Sequence, residues 1–570
     1  NTMYKKRFLA AILAAALTAS LASCGNNASN TGSSTPQESQ TSGTEVSTPE
    51  TPEVTSVDGD VNLQTYPIVE EKIELTLWYP MAGSMGELSD FNKDAEFWPW
   101  YEEKTNIHIN FQIPAAGTET DAFQLLFASD AMPDLVYSQP GSYSYRGGED
   151  KAIEDGYFID MAEYLEYAPN YTSWLNNHDD FRTASYSDTG KMYGMWGLWK
   201  TIGDMALADQ GLAIRQDFLD KVGMEIPTTY DEWYEVLKAF RDELGIAAPF
   251  YTSKYGIDVT GEFMAGYDTA PYFYQRDGKV CYGPLDDQYK EYLTMLHQWW
   301  EEGLLDKDFA TRASTGITAD NDMMLNDKVG ALVDYGTRLV NVYVTRGATN
   351  PDFYLVGVEQ PMKSGEDAVT PAYRQYAAGN DMMNTYCMNI SADSEYIEEA
   401  IRWNDGFYAE DVYWNANYGL EDQEGVVWYA DETDGHRIGN YDFRYSNPDG
   451  ISSATVLVKF WTKNPPVRVE AAQIEQSEPD QQAAYQTWSK YEPANWLPTR
   501  LTMTSEEGTE YASLYTDIET YVQESNVKFI MGQMSLDDYD SYRETLKQMQ
   551  IERCIELQQA ALDRYYNRGK

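Results

Sequence analysis

Residues 73–113 constrain the fold more than any other stretch of this chain. Ile73, Leu75 and Leu77 alternate with Glu74 and Thr76, the period of a strand with one buried face. Ile107, Ile109, Phe111 and Ile113 repeat that pattern, and an aromatic-rich stretch of helical character, 91–104, lies between them. Strand, helix, strand predicts a parallel pair in an α/β sheet, because parallel neighbours need a crossover and a helix usually supplies it. A helix is expected over 123–128, and a short strand over Pro133-Asp134-Leu135-Val136-Tyr137, emerging after a turn. In open α/β sheets ligands sit beyond the carboxyl ends of strands. That position makes Trp78, Tyr79, Tyr137 and Ser138 candidate binding residues.

Three later helices are expected. Thr228 is placed to cap the first, with Asp231 or Glu232 at its positive end and Trp233, Val236, Leu237 and Phe240 on one face. The second carries Tyr292, Leu293, Leu296, Trp299 and Trp300 and stops at Gly303. The third begins at Ser535, with Leu536, Tyr539, Tyr542 and Leu546 in one stripe. Rings at such spacing belong to core more often than to a ligand platform. The tract 421–448, rich in Asp, Gly and Asn, reads as turns and a hairpin.

A net charge of -51 argues against nucleic acid and other polyanions as partners, since phosphate binding needs a Lys/Arg surface. Cys281, Cys387 and Cys554 are too few and too far apart for a disulfide framework or a zinc site, and are expected to be buried thiols. No phosphate-binding Gly-rich loop and no Gly-x-Ser-x-Gly elbow occurs, and His108, His178, His297 and His436 are scattered. Asp179-Asp180 and Asp537-Asp538 lack the alternating spacing of a calcium loop. No cofactor or metal is therefore expected. The 45 Tyr and 15 Trp suit ligands with apolar C–H faces and many hydroxyls, such as sugars.

The first residues read as targeting sequence. Lys5-Lys6-Arg7 precedes an apolar run over 8–17, too short to span a bilayer, and Leu21-Ala22-Ser23-Cys24 resembles the lipobox of bacterial lipoproteins. The resemblance implies a signal peptide over 1–23, lipidation of Cys24, and attachment by lipid alone to the outer face of the cytoplasmic membrane. Residues 24–65, poor in large apolar side chains, then form a tether with a reach of roughly 35 Å.

From about residue 70 onward four segments carry a further resemblance. They are Pro133-Asp134-Leu135 through Ala168-Pro169-Asn170-Tyr171; Ile214-Arg215-Gln216-Asp217 through Pro227-Thr228-Thr229 to Trp233; Trp300-Glu301-Glu302-Gly303 through Phe309; and Asp517-Ile518 through Gly532 to Tyr565. In this order they resemble the larger solute-binding lipoproteins of carbohydrate ABC transporters, family 1 type, including the polysaccharide- and alginate-binding subgroup. The resemblance implies an α/β, two-lobed periplasmic-binding-protein-like fold (type II) with a hinge and extra C-terminal helices. Lobe 1 is expected over 66–195 and 355–415, lobe 2 over 196–354 and 416–525, and the helices over 526–570. It implies a monomeric, non-enzymatic receptor that hands an oligosaccharide to ABC permease subunits. The rivals are a surface glycan-degrading enzyme and a peptide-binding or adhesion lipoprotein.

The same resemblance adds cleft candidates. Met192-Tyr193-Gly194 leads to Trp196 and Trp199, which stand where relatives commonly have proline; they either widen a stacking platform or alter hinge packing. Tyr335 and Arg338 follow the strand Val329 begins, where relatives place a sugar-stacking ring. Tyr418-Gly419-Leu420-Glu421 resembles a Tyr-Gly-Ile-Glu-Gly motif, with the next glycine displaced to Gly425. Arg215 and Asp217 either hold a strand end or touch ligand.

Overall fold

The computed structural model describes residues 61–568, apart from 82–87, 129–131, 141, 202–207, 209, 313–318, 366–381, 421–425, 431–436, 442–457, 460–461, 463, 476, 478 and 491–494. The expected signal peptide, Cys24 and most of the tether lie outside the described residues. So does most of the Asp/Gly/Asn-rich tract.

The pair expected at the start is present. Strands β1 (Ile73–Trp78) and β2 (Ile107–Gln112) run parallel, with Ile73 opposite Ile107. The crossover helix is in two pieces, Phe91–Asp94 and Phe97–Thr105. Ala95 between them is extended, and the Glu96 amide leaves the helical ladder to donate to the Lys459 carbonyl at 2.7 Å. The helix expected over 123–128 runs Glu119–Leu126, and β3 (Leu135–Ser138) lies parallel beside β1.

The remaining strands are β4 (Met195–Lys200), β5 (Gln210–Arg215), β6 (Ala248–Phe250), β7 (Phe273–Arg276), β8 (Lys279–Tyr282), β9 (Val329–Tyr335), β10 (Leu355–Gly357), β11 (Met383–Ile390), β12 (Val426–Ala430), β13 (Arg437–Tyr441) and β14 (Val467–Val469). Of the two larger sheets, the first has the order β14-β4-β11-β3-β1-β2 and the second β10-β5-β9-β6, while β7–β8 and β12–β13 pair separately. Each sheet packs its own helices around its own core: Trp98, Trp174, Trp196 and Trp403 in the first, Trp233, Phe263, Tyr292 and Trp299 in the second.

Strand direction shows which edges the crossings join. β4 ends at Lys200 on the carboxyl edge of the first sheet, and β5 starts at Gln210 opposite Tyr335, the last residue of β9. The return runs from the end of β10 to the start of β11, on the same two edges. Sheet membership follows the chain through these crossings. β4 belongs to the first sheet, so the first crossing follows Lys200; β10 belongs to the second; and β14 returns to the first.

A third crossing follows β14. The helix Pro479–Trp488 lays Trp488 across β5 and β10, where a side chain on Gly211 or Gly357 would collide with its indole. Trp488 Nε1 donates to the Leu212 carbonyl at 3.0 Å, so the seat is polar as well as steric. At the other end of β5, Arg215 is fully buried between the rings of Phe218 and Phe353, each 3.8 Å away. Its guanidinium grips Asp217 at 2.7 and 2.8 Å and Asp327 at 2.6 Å. That burial decides between the two roles left open: the pair holds a strand end. The Asn170 region is also structural. Asp405 accepts hydrogen bonds from the Tyr171 amide (2.8 Å) and the Asn170 side chain (2.9 Å), and Asn170 Oδ1 accepts from the Leu63 amide at 2.8 Å.

Local expectations met small corrections. Thr229, not Thr228, caps the helix Tyr230–Asp242, in a reciprocal box with Glu232; Thr228 Oγ1 donates instead to Glu232 Oε2 at 2.8 Å. Thr229→Ala is expected to cost about 1 kcal/mol in urea unfolding and Thr229→Gly only a few tenths. Gly303, at φ 75°, follows the helix Asp287–Glu301. Ser535 caps a short 3₁₀ turn, Leu536–Asp538, before the helix Tyr539–Gln548 with Tyr539, Tyr542 and Leu546 buried. Cys387 and Cys554 are buried thiols, whereas Cys281 is only half-buried at a hairpin edge. No helix among the described residues is long and apolar enough to cross a membrane.

Candidate functional site

The carboxyl edge of the first sheet gathers several of the expected residues. Tyr79 meets Tyr137 edge-on at 5.5 Å, and Tyr137 lies 5.1 Å from the Tyr386 ring. Trp78 packs edge-on against Phe123 and Tyr143. Trp78, Tyr79 and Tyr137 are all buried, because each faces neighbouring rings rather than solvent. Ser138 is buried too, donating to Asn389 Oδ1 at 2.5 Å. Burial raises the Tyr79 and Tyr137 hydroxyls above the usual tyrosine range.

Trp196 is 0% exposed, and the Arg500 guanidinium lies 3.8 Å over its ring. It is a slab in the core, not a platform. Tyr418 closes the helix Glu410–Tyr418, buried and stacked on Trp414 at 4.8 Å. Three candidates reach the surface. Trp199 is partly exposed with Arg468 over its ring at 4.5 Å, and on the carboxyl edge of the second sheet Arg338 lies 5.6 Å over Tyr335 and 3.9 Å from Asp334.

A larger concavity lies beside that second edge. Gln210, the cross-strand partner of Tyr335, forms part of the wall of a pocket of about 840 Å³. Eight rings line it, none of them among the residues expected from sequence. Tyr511 and Tyr515 stack at 5.0 Å on the helix Ser505–Ile530, which starts from a capping box of Thr504 and Glu507. Phe273 of the β7–β8 hairpin meets Tyr515 at 5.1 Å and Tyr282 at 4.7 Å. Tyr255, Tyr272, Tyr274 and Trp496 complete the wall.

Backbone contacts hold this arrangement. Gln275 donates through its amide to Asn495 O at 2.8 Å and through its side chain to Trp496 O at 2.7 Å, which fixes the Trp496 loop on the hairpin. Gly283 lets the 270–272 loop close on the hairpin end, since a Cβ there would overlap the Ala270 carbonyl. Two exposed apolar side chains, Tyr272 (40%) and Val259 (39%), stand on the pocket wall.

The polar complement is small. Gln210, Thr260, Thr499, Gln523 and Gln558 offer hydrogen bonds, and Asp258 and Glu519 are the carboxylates; none of the described lining residues is Lys, Arg or His. Burial pushes Asp258 up to about 7, with the Asn526 hydrogen bond at 2.8 Å opposing that rise. Among the described residues no group of three His, Cys, Asp or Glu is placed to hold a metal.

The pocket rings did leave a signal in the sequence. Tyr511, Tyr515 and Glu519 recur every four residues, and Ala270-Pro271-Tyr272-Phe273-Tyr274 is a dense run of rings behind a proline. What sequence does not contain is that these two segments meet.

The fold is similar to that of solved extracellular solute-binding proteins. The chain superposes on the crystal structure of an extracellular solute-binding protein from Bifidobacterium longum subsp. infantis with a TM-score of 0.64 at 17% identity, covering 87% of this chain and 98% of that one. Among curated proteins it is 28% identical over 229 residues to Lipoprotein LipO of Bacillus subtilis, covering 38% of this chain and 42% of that protein. It is 26% identical over 274 residues to the fructooligosaccharide ABC transporter substrate-binding protein FusA of Streptococcus pneumoniae, covering 43% and 47%. The matched region thus spans about half the length of these relatives. No family model matches.

Proposed function

We propose that this chain is the solute-binding component of a carbohydrate ABC importer, capturing an oligosaccharide and passing it unchanged to permease subunits. The pocket carries the reading: about 840 Å³ is room for a few sugar units, and its wall combines ring faces with uncharged hydrogen-bonding side chains. Rings cover the C–H faces of a pyranose or furanose, while Gln and Thr side chains meet hydroxyls. Trp199, Tyr335 and Arg338, on the two carboxyl edges joined by the crossings, extend the ligand path toward the first sheet. Closure of the two halves about those crossings would trap the ligand. Attachment through a lipid on Cys24 agrees with the likeness to a lipoprotein and would keep the receptor beside its permease.

Calorimetry with neutral fructo-, gluco- and manno-oligosaccharides of two to five units tests this, with product analysis of the same mixtures. Saturable binding that raises Tm and leaves the sugar intact is expected. Cleaved products would instead favour a glycan-degrading enzyme, and binding of peptides alone would reject the sugar assignment.

A further inference from the structure

The pocket is acidic as well as aromatic. Asp258 closes the short helix Lys254–Asp258 and faces the pocket, held from behind by Asn526. Glu519 lies one and two turns beyond the stacked Tyr515 and Tyr511, and its charge acts on both rings and on Asp258. Lys254 is the cation whose charge reaches Asp258, and it is not part of the pocket wall. Two carboxylates beside electron-rich ring faces, with no basic side chain in the described lining, make an environment hostile to anions and suited to a cation. An ammonium there gains ion pairing and cation–π attraction together.

We propose that this pocket takes an amino-bearing sugar, with the ammonium between Asp258 and Glu519 against the Tyr511 and Tyr515 faces. This rests on the oligosaccharide reading above and narrows it to a ligand class: aminated before neutral, and neutral before uronate. The raised Asp258 carboxyl adds a signature. An arriving ammonium favours its ionised form, so at pH 5.5, where the sugar amine already carries its proton, an amino sugar expels a proton from the pocket and a neutral sugar does not. The groups that bear on this titration are Lys254, Glu519 and Asn526.

Three tetramers separate the possibilities: β1,4-linked glucosamine, its fully N-acetylated counterpart, and α1,4-linked galacturonate. Calorimetry at pH 5.5 in two buffers of different ionisation enthalpy gives both affinity and proton release. The glucosamine tetramer is expected to bind about tenfold tighter than the N-acetylated one, with proton release, and the galacturonate not measurably. In Asp258→Asn with Glu519→Gln, checked for folding by thermal melting, the tenfold preference collapses to below about threefold and the proton release disappears. Galacturonate binding as tight as glucosamine, or a preference that survives in the double variant, overturns the proposal. If the neutral panel binds and the glucosamine tetramer shows no advantage, this inference alone falls; if no sugar binds, the oligosaccharide reading falls with it.

Discussion

Asp188→Ala is expected to lower the unfolding free energy by about 3–5 kcal/mol, read as a drop in the urea midpoint. Asp188 stands behind the helix Asp179–Ser185 on the side of the first sheet, and it receives two arginines from the end of the chain. Arg568 Nε reaches it at 2.5 Å and Arg564 Nε at 3.0 Å, while Thr502 Oγ1 donates at 3.0 Å. The Arg568 side chain is 1% exposed, and burial pulls its guanidinium below the ordinary arginine range. Its remaining nitrogens donate to Arg500 O at 2.9 Å and to Thr502 Oγ1 at 2.6 Å. Without Asp188 a charge stays buried against neutral acceptors, and removing one partner of a buried pair costs far more than the pair contributes net. Arg568→Met added to Asp188→Ala should recover much of the loss, because the stranded charge goes with it. A change below about 1 kcal/mol for Asp188→Ala would mean that water reaches Arg568.

This contact also ties the two halves. The helix Ile551–Tyr565 puts Leu562 in the core of the second sheet and Tyr565 in the core of the first. Leu501, on the strap that carries Arg500, packs against both. The C-terminal segment therefore braces the same two bodies that the three crossings connect.

Trp496→Ala is expected to weaken oligosaccharide binding by about 2 kcal/mol, near thirtyfold in Kd, with little change in Tm. Trp496 is half-buried on the pocket wall, and its loop is held by Gln275 through backbone atoms that the substitution leaves in place. Trp488→Ala gives the contrast. That indole fills a seat over Gly211 and Gly357, so its loss should appear as about 3–5 kcal/mol of stability. Unaltered affinity in Trp496→Ala would move the binding surface away from this pocket, toward the edge that carries Trp199 and Tyr335.

Much of the local structure was legible because it depends on near neighbours. The alternation at 73–77 and 107–113, the ring stripe through Trp233 and Phe240, and the stop at Gly303 follow from strand and helix periods and from glycine's access to positive φ. The one-residue error at Thr228 has the same local origin, since two adjacent threonines can each reach Glu232 and only backbone geometry chooses between them. Sheet membership was not legible. β14, three residues long, joins the first sheet beside β4 after a gap of 266 residues, a pairing that no period in its sequence announces.

The candidate site divides along the same line. The sequence by itself determined that the chain is an α/β protein rich in rings and poor in basic residues. It placed Trp78, Tyr79 and Tyr137 at strand ends, yet could not show that Tyr79 meets Tyr137 while Trp78 packs on Phe123 and Tyr143. Only the tertiary structure decided which rings are spent on the core and which meet solvent. Trp196 disappears under Arg500, while Tyr272 and Trp496 line a pocket that joins a hairpin to a loop and helix more than 200 residues further along the chain. A ring has the same chemistry in both places. Its role is set by what packs on its second face, and that neighbour is supplied by contacts too distant along the chain for any local pattern to encode.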